Sequence, residues 1–283
     1  MKLNLGRHPF SECWDGVYYK ALSDYPRITP HEIRDVLDFM AYEKAHGRSV
    51  EITADPPALK ETLLRAAQHP EAYRDAPLPP ILRECTACPE RGGCMTDLVC
   101  HTAPVANAIE ILKSGFLLSA VQARGIPAEE LAREPRNAAK DPPDFFHYVM
   151  FAWGNCQAGD RLVMERLLRR APSPEEMGPG FIPGVRFYCR YAHLDRHPCR
   201  VHDGILPIKV RDRVSLEENV FAILVPEMHR QAVTPYLNSA LAPRAHFLES
   251  AGLDVWAWSE KAYCLAHALA DEAAGAAEGR DMA

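Results

Sequence analysis

Cys85, Cys88, Cys94 and Cys100 follow one another in the spacing C-x2-C-x5-C-x5-C. Thiolates crowded into a glycine-bearing loop repel one another unless a cation holds them, so this segment reads as one ligand set. Cys85 and Cys88 have the knuckle spacing that reaches one ion from a tight turn. Gly92 and Gly93 let the backbone return so that Cys94 can join, and Cys100 completes the four. Zinc is the first expectation, with an iron–sulfur cluster as the alternative, because both accept four thiolates. Such a centre would fasten the chain before it to the chain after it.

The remaining five cysteines stand singly, and the total of nine is odd, which favours reduced thiols over a disulfide framework. At 283 residues and 47% hydrophobic the chain can bury a full core. No apolar run reads as a signal peptide or a membrane span, so a cytoplasmic protein with no membrane partner is expected. The net charge of −6 argues against indiscriminate nucleic-acid coating. Between Arg161 and Arg213, however, eleven Lys/Arg face six Asp/Glu. That local excess fits either a phosphate-bearing ligand or a solvated surface.

Residues 1–80 read as a helical N-terminal region. Thr29-Pro30-His31-Glu32 supplies a cap, a proline at the first helical position and an N3 glutamate, with Ile33, Val36, Leu37 and Met40 at helical spacing. Asp55-Pro56-Pro57 introduces a second helix through Leu59, Leu63 and Leu64, and the prolines at 77, 79 and 80 mark a boundary. The four-cysteine segment occupies 81–100, a larger domain spans 98–270, and 271–283 reads as a frayed tail. In the larger domain a strand at 98–102 leads to a helix ending at Gly115 and to extended chain at 116–118. Strands are expected at 148–151, 185–191, 205–210 and 220–225, and a last helix from Ser259 to Ala270. Helices first and strands afterwards predict an α+β fold.

The order His101-Thr102, then Asn107 to Ala120 with Ile111-Leu-Lys-Ser-Gly115, then an aromatic strand, then Glu217-Glu218-Asn219 before Val220, resembles the ADP-ribosyltransferase superfamily. The likeness is greatest to the DNA-modifying toxin and tRNA 2′-phosphotransferase branches. It implies a split mixed sheet of the ADP-ribosyltransferase type, with NAD as substrate and ADP-ribosyl or related ribosyl transfer as the reaction. The resemblance makes His101, Tyr148 and Glu218 catalytic, with Glu217 competing for the place of Glu218. It gives His101, Thr102, Ser119, Arg186 and Arg190 to the dinucleotide, and it leaves the acceptor open, a nucleic acid included. Such a carboxylate would stabilise the positive charge that develops on the ribose as nicotinamide departs. The first-strand glycine of the family pattern is missing, no S-T-S strand is visible, and Glu217-Glu218 replaces an E-x-E.

Cys94 to His101 and Phe151 to Leu162 are also similar to a bacterial family that carries the label phosphate ABC transporter ATPase. The chain has no G-x-x-x-x-G-K-[ST] to cradle ATP phosphates. A rival enzyme reading starts from Cys156 before a helix, with His193, His197 or His202-Asp203 downstream as base and orienter. A third reading is a metal-stabilised module that binds nucleic acid or protein through the Arg161 to Arg213 stretch.

Overall fold

The computed structural model describes residues 1–8, 11–14, 16–78, 96–134 and 141–281. It is a mixed α and β structure with two lobes. The first lobe contains β1 (Lys2–Gly6), β2 (Glu12–Trp14), β3 (Val17–Ala21), α1 (Pro30–Ala45), β4 (Glu51–Ala54) and α2 (Ala58–Ala66). Its sheet runs β2-β3-β1-β4, with β1 parallel to both neighbours. The all-helical expectation for residues 1–80 is therefore corrected. Leu3 and Leu5 alternate inward along β1, and Tyr18 does so along β3, but these stretches are too short to carry a period in the sequence.

The expected capping box on α1 is present, with Thr29 and Glu32 satisfying each other's backbone. Ile33, Val36 and Phe39 on one side of α1 close the core with Leu3, Leu5, Leu59 and Leu63. Asp55 does not cap α2. Its amide instead donates to the Leu5 carbonyl at 2.9 Å and prolongs the β1–β4 ladder.

The second lobe opens with β5 (Leu98–Ala103), α3 (Val105–Ser114), β6 (Phe116–Leu118), α4 (Ala120–Arg124), α5 (Ala128–Leu131), β7 (Tyr148–Trp153) and α6 (Ala158–Leu168). There follow β8 (Val185–Arg190), α7 (Tyr191–Leu194), β9 (Arg200–Val201), β10 (Ile208–Arg211), β11 (Arg213–Ser215) and α8 (Leu216–Asn219). The lobe ends with β12 (Val220–Pro226), α9 (Arg230–Val233), β13 (Ala245–Leu248) and α10 (Val255–Asp281). A seven-stranded sheet runs β13-β12-β8-β5-β7-β10-β9, and β11 pairs with β6 apart from it. Among the described residues, only the β12–β13 pair in the large sheet is parallel.

Gly115 ends α3 in the left-handed region at φ 76°, as its position in the sequence predicts. The strand expected from Ile205 starts at Ile208, because Asp203 Oδ1 accepts the amides of Ile205 and Leu206 and holds that stretch as a turn. The last helix starts before Ser259, where Asp254 Oδ1 accepts the Ala257 amide at 2.8 Å. It continues past Asp271 to Asp281. No helix among the described residues is long and apolar enough to cross a membrane.

One face of the large sheet packs Val99, Phe151, Phe187 and Ile223 with Ala108 and Leu112 of α3. The other packs Leu98, Cys100, Tyr188 and Leu224 with Trp258, Ala262 and Ala266 of α10. The lobes meet through polar contacts. Tyr18 donates to the Gly204 carbonyl at 2.9 Å, and Asp144 accepts from Tyr42 at 2.5 Å and from Arg48 at 2.6 Å. Gly204, at φ 72°, lies so close to α1 that a β-carbon there would fall 1.9 Å from the Asp35 carbonyl oxygen.

Lys209 is fully buried 2.9 Å from Asp203, and its ammonium lies 4.0 Å from the ring centres of Tyr42 and Phe145 and 4.7 Å from that of Tyr148. Burial pulls its pKa below the usual lysine value against the opposing charge of Asp203. Removing one partner of a buried pair strands the other. Asp203→Asn and Lys209→Met are therefore each expected to lower stability in urea unfolding by about 3–5 kcal/mol, and the double variant by less than the sum of the two.

Candidate functional site

Between the lobes lies a cavity of about 1130 Å³, large enough for a drug-sized or nucleotide-sized molecule. Its first-lobe wall is the polar side of α1. His31, Arg34, Asp35 and Asp38 recur at i, i+3, i+4 and i+7, which puts them on one stripe of the helix. The apolar side of α1 is committed to the core, so docking of the second lobe turns this polar stripe inward to the cavity.

Asp35 Oδ2 holds the Lys20 ammonium at 2.7 Å and lies 3.5 Å from His31 Nε2. Arg34 donates through Nη2 to His31 Nδ1 at 2.9 Å and through Nη1 to the Ala76 carbonyl. Because a guanidinium can only donate, Nδ1 accepts and His31 carries its proton on Nε2. Burial pulls the His31 pKa down, in keeping with that neutral form. Asp38, one turn beyond Asp35, makes no hydrogen bond or ion pair among the described residues. Burial raises its pKa above the usual carboxylate value, with Arg34 and, from the second lobe, His202 opposing the rise and Asp35 and Asp203 reinforcing it.

The opposite wall is built from the second lobe and contains Met150, Trp153, Cys156, Tyr191 and His202. The loop carrying Cys156 is fixed from beneath by Arg186. This fully buried arginine donates to Asp160 Oδ2 from Nη2 at 2.5 Å and from Nε at 3.1 Å. It also reaches the carbonyls of Gly154 and Cys156 and the Ser259 hydroxyl. Asp160 Oδ1 in turn accepts the Gly184 amide at 2.7 Å.

Among the residues expected from the sequence, none of His101, Thr102, Ser119, Tyr148, Arg186, Arg190, Glu217 and Glu218 lines the cavity. His101 stands where the sheet forks. β5 and β7 pair only at Val99–Trp153 and Cys100–Ala152, while β5 continues with β8 and β7 with β10. His101 Nδ1 donates to the freed Met150 carbonyl at 3.0 Å, and burial lowers its pKa.

Glu217 and Glu218 are exposed on α8, before Val220, which faces Cys189 on β8. His101 faces Phe187 from β5. The glutamates are therefore about 10 Å from His101 along the strands and two strands across. The expected convergence of His101 with Glu218 is not formed.

Arg186 is corrected from a pyrophosphate ligand to a core tie, because its guanidinium is saturated by protein acceptors. Arg190 donates to the Ala270 carbonyl at 2.6 Å and lies over Phe221, and so secures α10. Ser119 caps α4 by accepting the Gln122 amide. Tyr148 stands beside the Lys209 ammonium.

Cys100 is buried in the layer beneath α10, and desolvation pushes its thiol up to about 11. Its sulfur points to the Trp153 carbonyl at 3.9 Å. Cys85, Cys88 and Cys94 lie outside the described residues, and no group of three or more metal-ligating side chains occurs among those described. Of the rival cysteine site, Cys156 does line the cavity, its sulfur accepting the Ala158 amide at 3.4 Å. His202, however, spends both ring nitrogens on Asp195 and the Pro207 carbonyl, and Asp203 turns away to Lys209.

The α1 stripe escaped the sequence reading because charged residues at helical spacing ordinarily mark a solvated face. Comparison with protein-family models, curated proteins and solved structures returns no match. Thr102 has a packing role, since a β-carbon on Gly159 would fall 2.4 Å from its hydroxyl oxygen. Gly159→Ala should therefore force α6 away from β5 and lower stability by about 1–3 kcal/mol in thermal unfolding.

Proposed function

We propose that the chain is an enzyme that cleaves or transfers a ribosyl group at an N-glycosidic bond, with the cavity between the lobes as its site. The observation that carries this reading is the pair Asp35 and Asp38 on one stripe of α1, in contrasting surroundings. Asp35 is held by Lys20 and His31, whereas Asp38 is unpartnered and pushed toward its neutral form. Two carboxyl groups set apart in this way divide the work of glycosyl chemistry between an acid and an anion.

Asp38 supplies the proton to the departing nitrogen. The Asp35 carboxylate stabilises the positive charge that builds on the sugar ring, and Lys20 and His31 fix its orientation. This keeps the ribosyl chemistry implied by the sequence resemblance and moves it from His101 and Glu218 to α1. The cavity volume accommodates NAD as well as smaller N-ribosides. The acceptor is water or another nucleophile.

The test is release of free base from labelled N-ribosides, followed by chromatography. Asp38→Asn is expected to lower kcat about 10²–10⁴-fold with little change in KM. Asp38 must be protonated to act, and its pKa is raised. Activity should therefore persist above the ordinary carboxylate range and fall as pH rises through the raised value. Unchanged turnover in both Asp38→Asn and Asp35→Asn would refute the assignment.

A further inference from the structure

Two features of the same cavity bear on what it admits. The first is its charge. Among the described residues the lining carries Lys20, Arg34, Arg74 and Arg161 against Asp35, Asp38, Asp141, Asp195 and Asp254. Lys20 is already paired with Asp35, and Arg34 is spent on His31 and the Ala76 carbonyl. A pyrophosphate brought into such a place would leave water, find Lys20 and Arg34 already engaged, and meet the carboxyl groups of Asp35, Asp141, Asp195 and Asp254 on the same lining. The second feature is aromatic. Trp153 and Tyr191 line the wall opposite α1 with ring centres 5.2 Å apart at 44°, both half-buried, and buried Phe145 lines the cavity as well. Rings of this kind offer a stacking surface that any planar heterocycle can use.

We infer that the substrate is a neutral nucleoside, its base against Trp153 and Tyr191 and its ribose toward Asp35 and Asp38, and not a dinucleotide carrying a pyrophosphate. This rests on the ribosyl reading of the cavity and narrows it. The chemistry agrees with the choice. Nicotinamide leaves NAD as a neutral molecule and needs no proton, whereas the base of a nucleoside is a poor leaving group until it is protonated.

In the hydrolytic case the C1′–N bond breaks with its electron pair going to the base, which takes the Asp38 proton. Water then adds to C1′ and returns a proton to Asp38, so that nucleoside and water give ribose and free base.

The experiment measures binding of adenosine, uridine, ADP and NAD to the full chain by calorimetry, and base release from each by chromatography. The nucleosides are expected to bind at least about 10-fold more tightly than ADP or NAD, a ratio that the charge balance of the lining sets. Trp153→Ala should weaken nucleoside binding about 10-fold and Trp153→Phe should restore most of it, with circular dichroism confirming the fold of each. Asp38→Asn should still bind nucleoside while losing base release. Tighter binding of ADP or NAD, or no binding of either nucleoside, overturns the inference. Nucleoside binding without base release in the unaltered protein upholds the ligand class and instead overturns the ribosyl reaction.

Discussion

The Arg186–Asp160 contact holds together parts of the chain that are distant in sequence. Arg186 belongs to the middle of the large sheet, Asp160 to the first turn of α6, and Ser259 to α10, and all three meet in a space with no exposed surface on the ion pair. A buried guanidinium is tolerable only when its donors are filled, and here a carboxylate, two carbonyls, a tyrosine and a serine fill them. The consequence for the site is positional. The turn from Gly154 to Cys156 hangs from this arginine by its carbonyls, and that turn forms part of the cavity wall. The second lobe thus presents a rigid wall to whatever α1 brings opposite.

Docking of the lobes is also mainly polar, and its parts are mutually dependent. Gly204 lets the loop before β10 touch α1 directly, Asp203 in that loop faces Lys209, and the Lys209 ammonium is enclosed by Tyr42 of α1 together with Phe145 and Tyr148. A desolvated ammonium against aromatic faces gains about 2 kcal/mol from the ring quadrupoles, which offsets part of its burial. The cost of exposing an unmatched charge, and not a broad apolar interface, keeps α1 at a fixed distance from β7. Since α1 carries Asp35 and Asp38, the same contacts define the width of the cavity.

Much of the second lobe, and the start of α1 in the first, was legible in the sequence because the signals are local. The left-handed glycine at 115, the capping box at Thr29 and the aromatic and β-branched strands each state their conformation within a few residues. The site was not legible, because its chemistry depends on partners far apart in the chain. Arg186 reads as a strand arginine free to meet phosphate until Asp160 is folded against it. His101 and Glu218 read as partners until the strand register separates them. His31, Arg34, Asp35 and Asp38 look like the wet side of a helix, and only the approach of the second lobe makes them the wall of a cavity. A search for polar stripes on helices whose opposite side is already apolar would have flagged α1.

The account stands on Asp38 being a carboxyl group kept neutral beyond its usual range by a cavity that holds a ligand. A carbon-13 NMR titration of the Asp38 side chain, in the free protein and with saturating adenosine, observes that group directly. The account predicts a midpoint above the ordinary aspartate value of about 3.9, and a further change when the nucleoside binds. A midpoint at the ordinary value that adenosine leaves unmoved would contradict it.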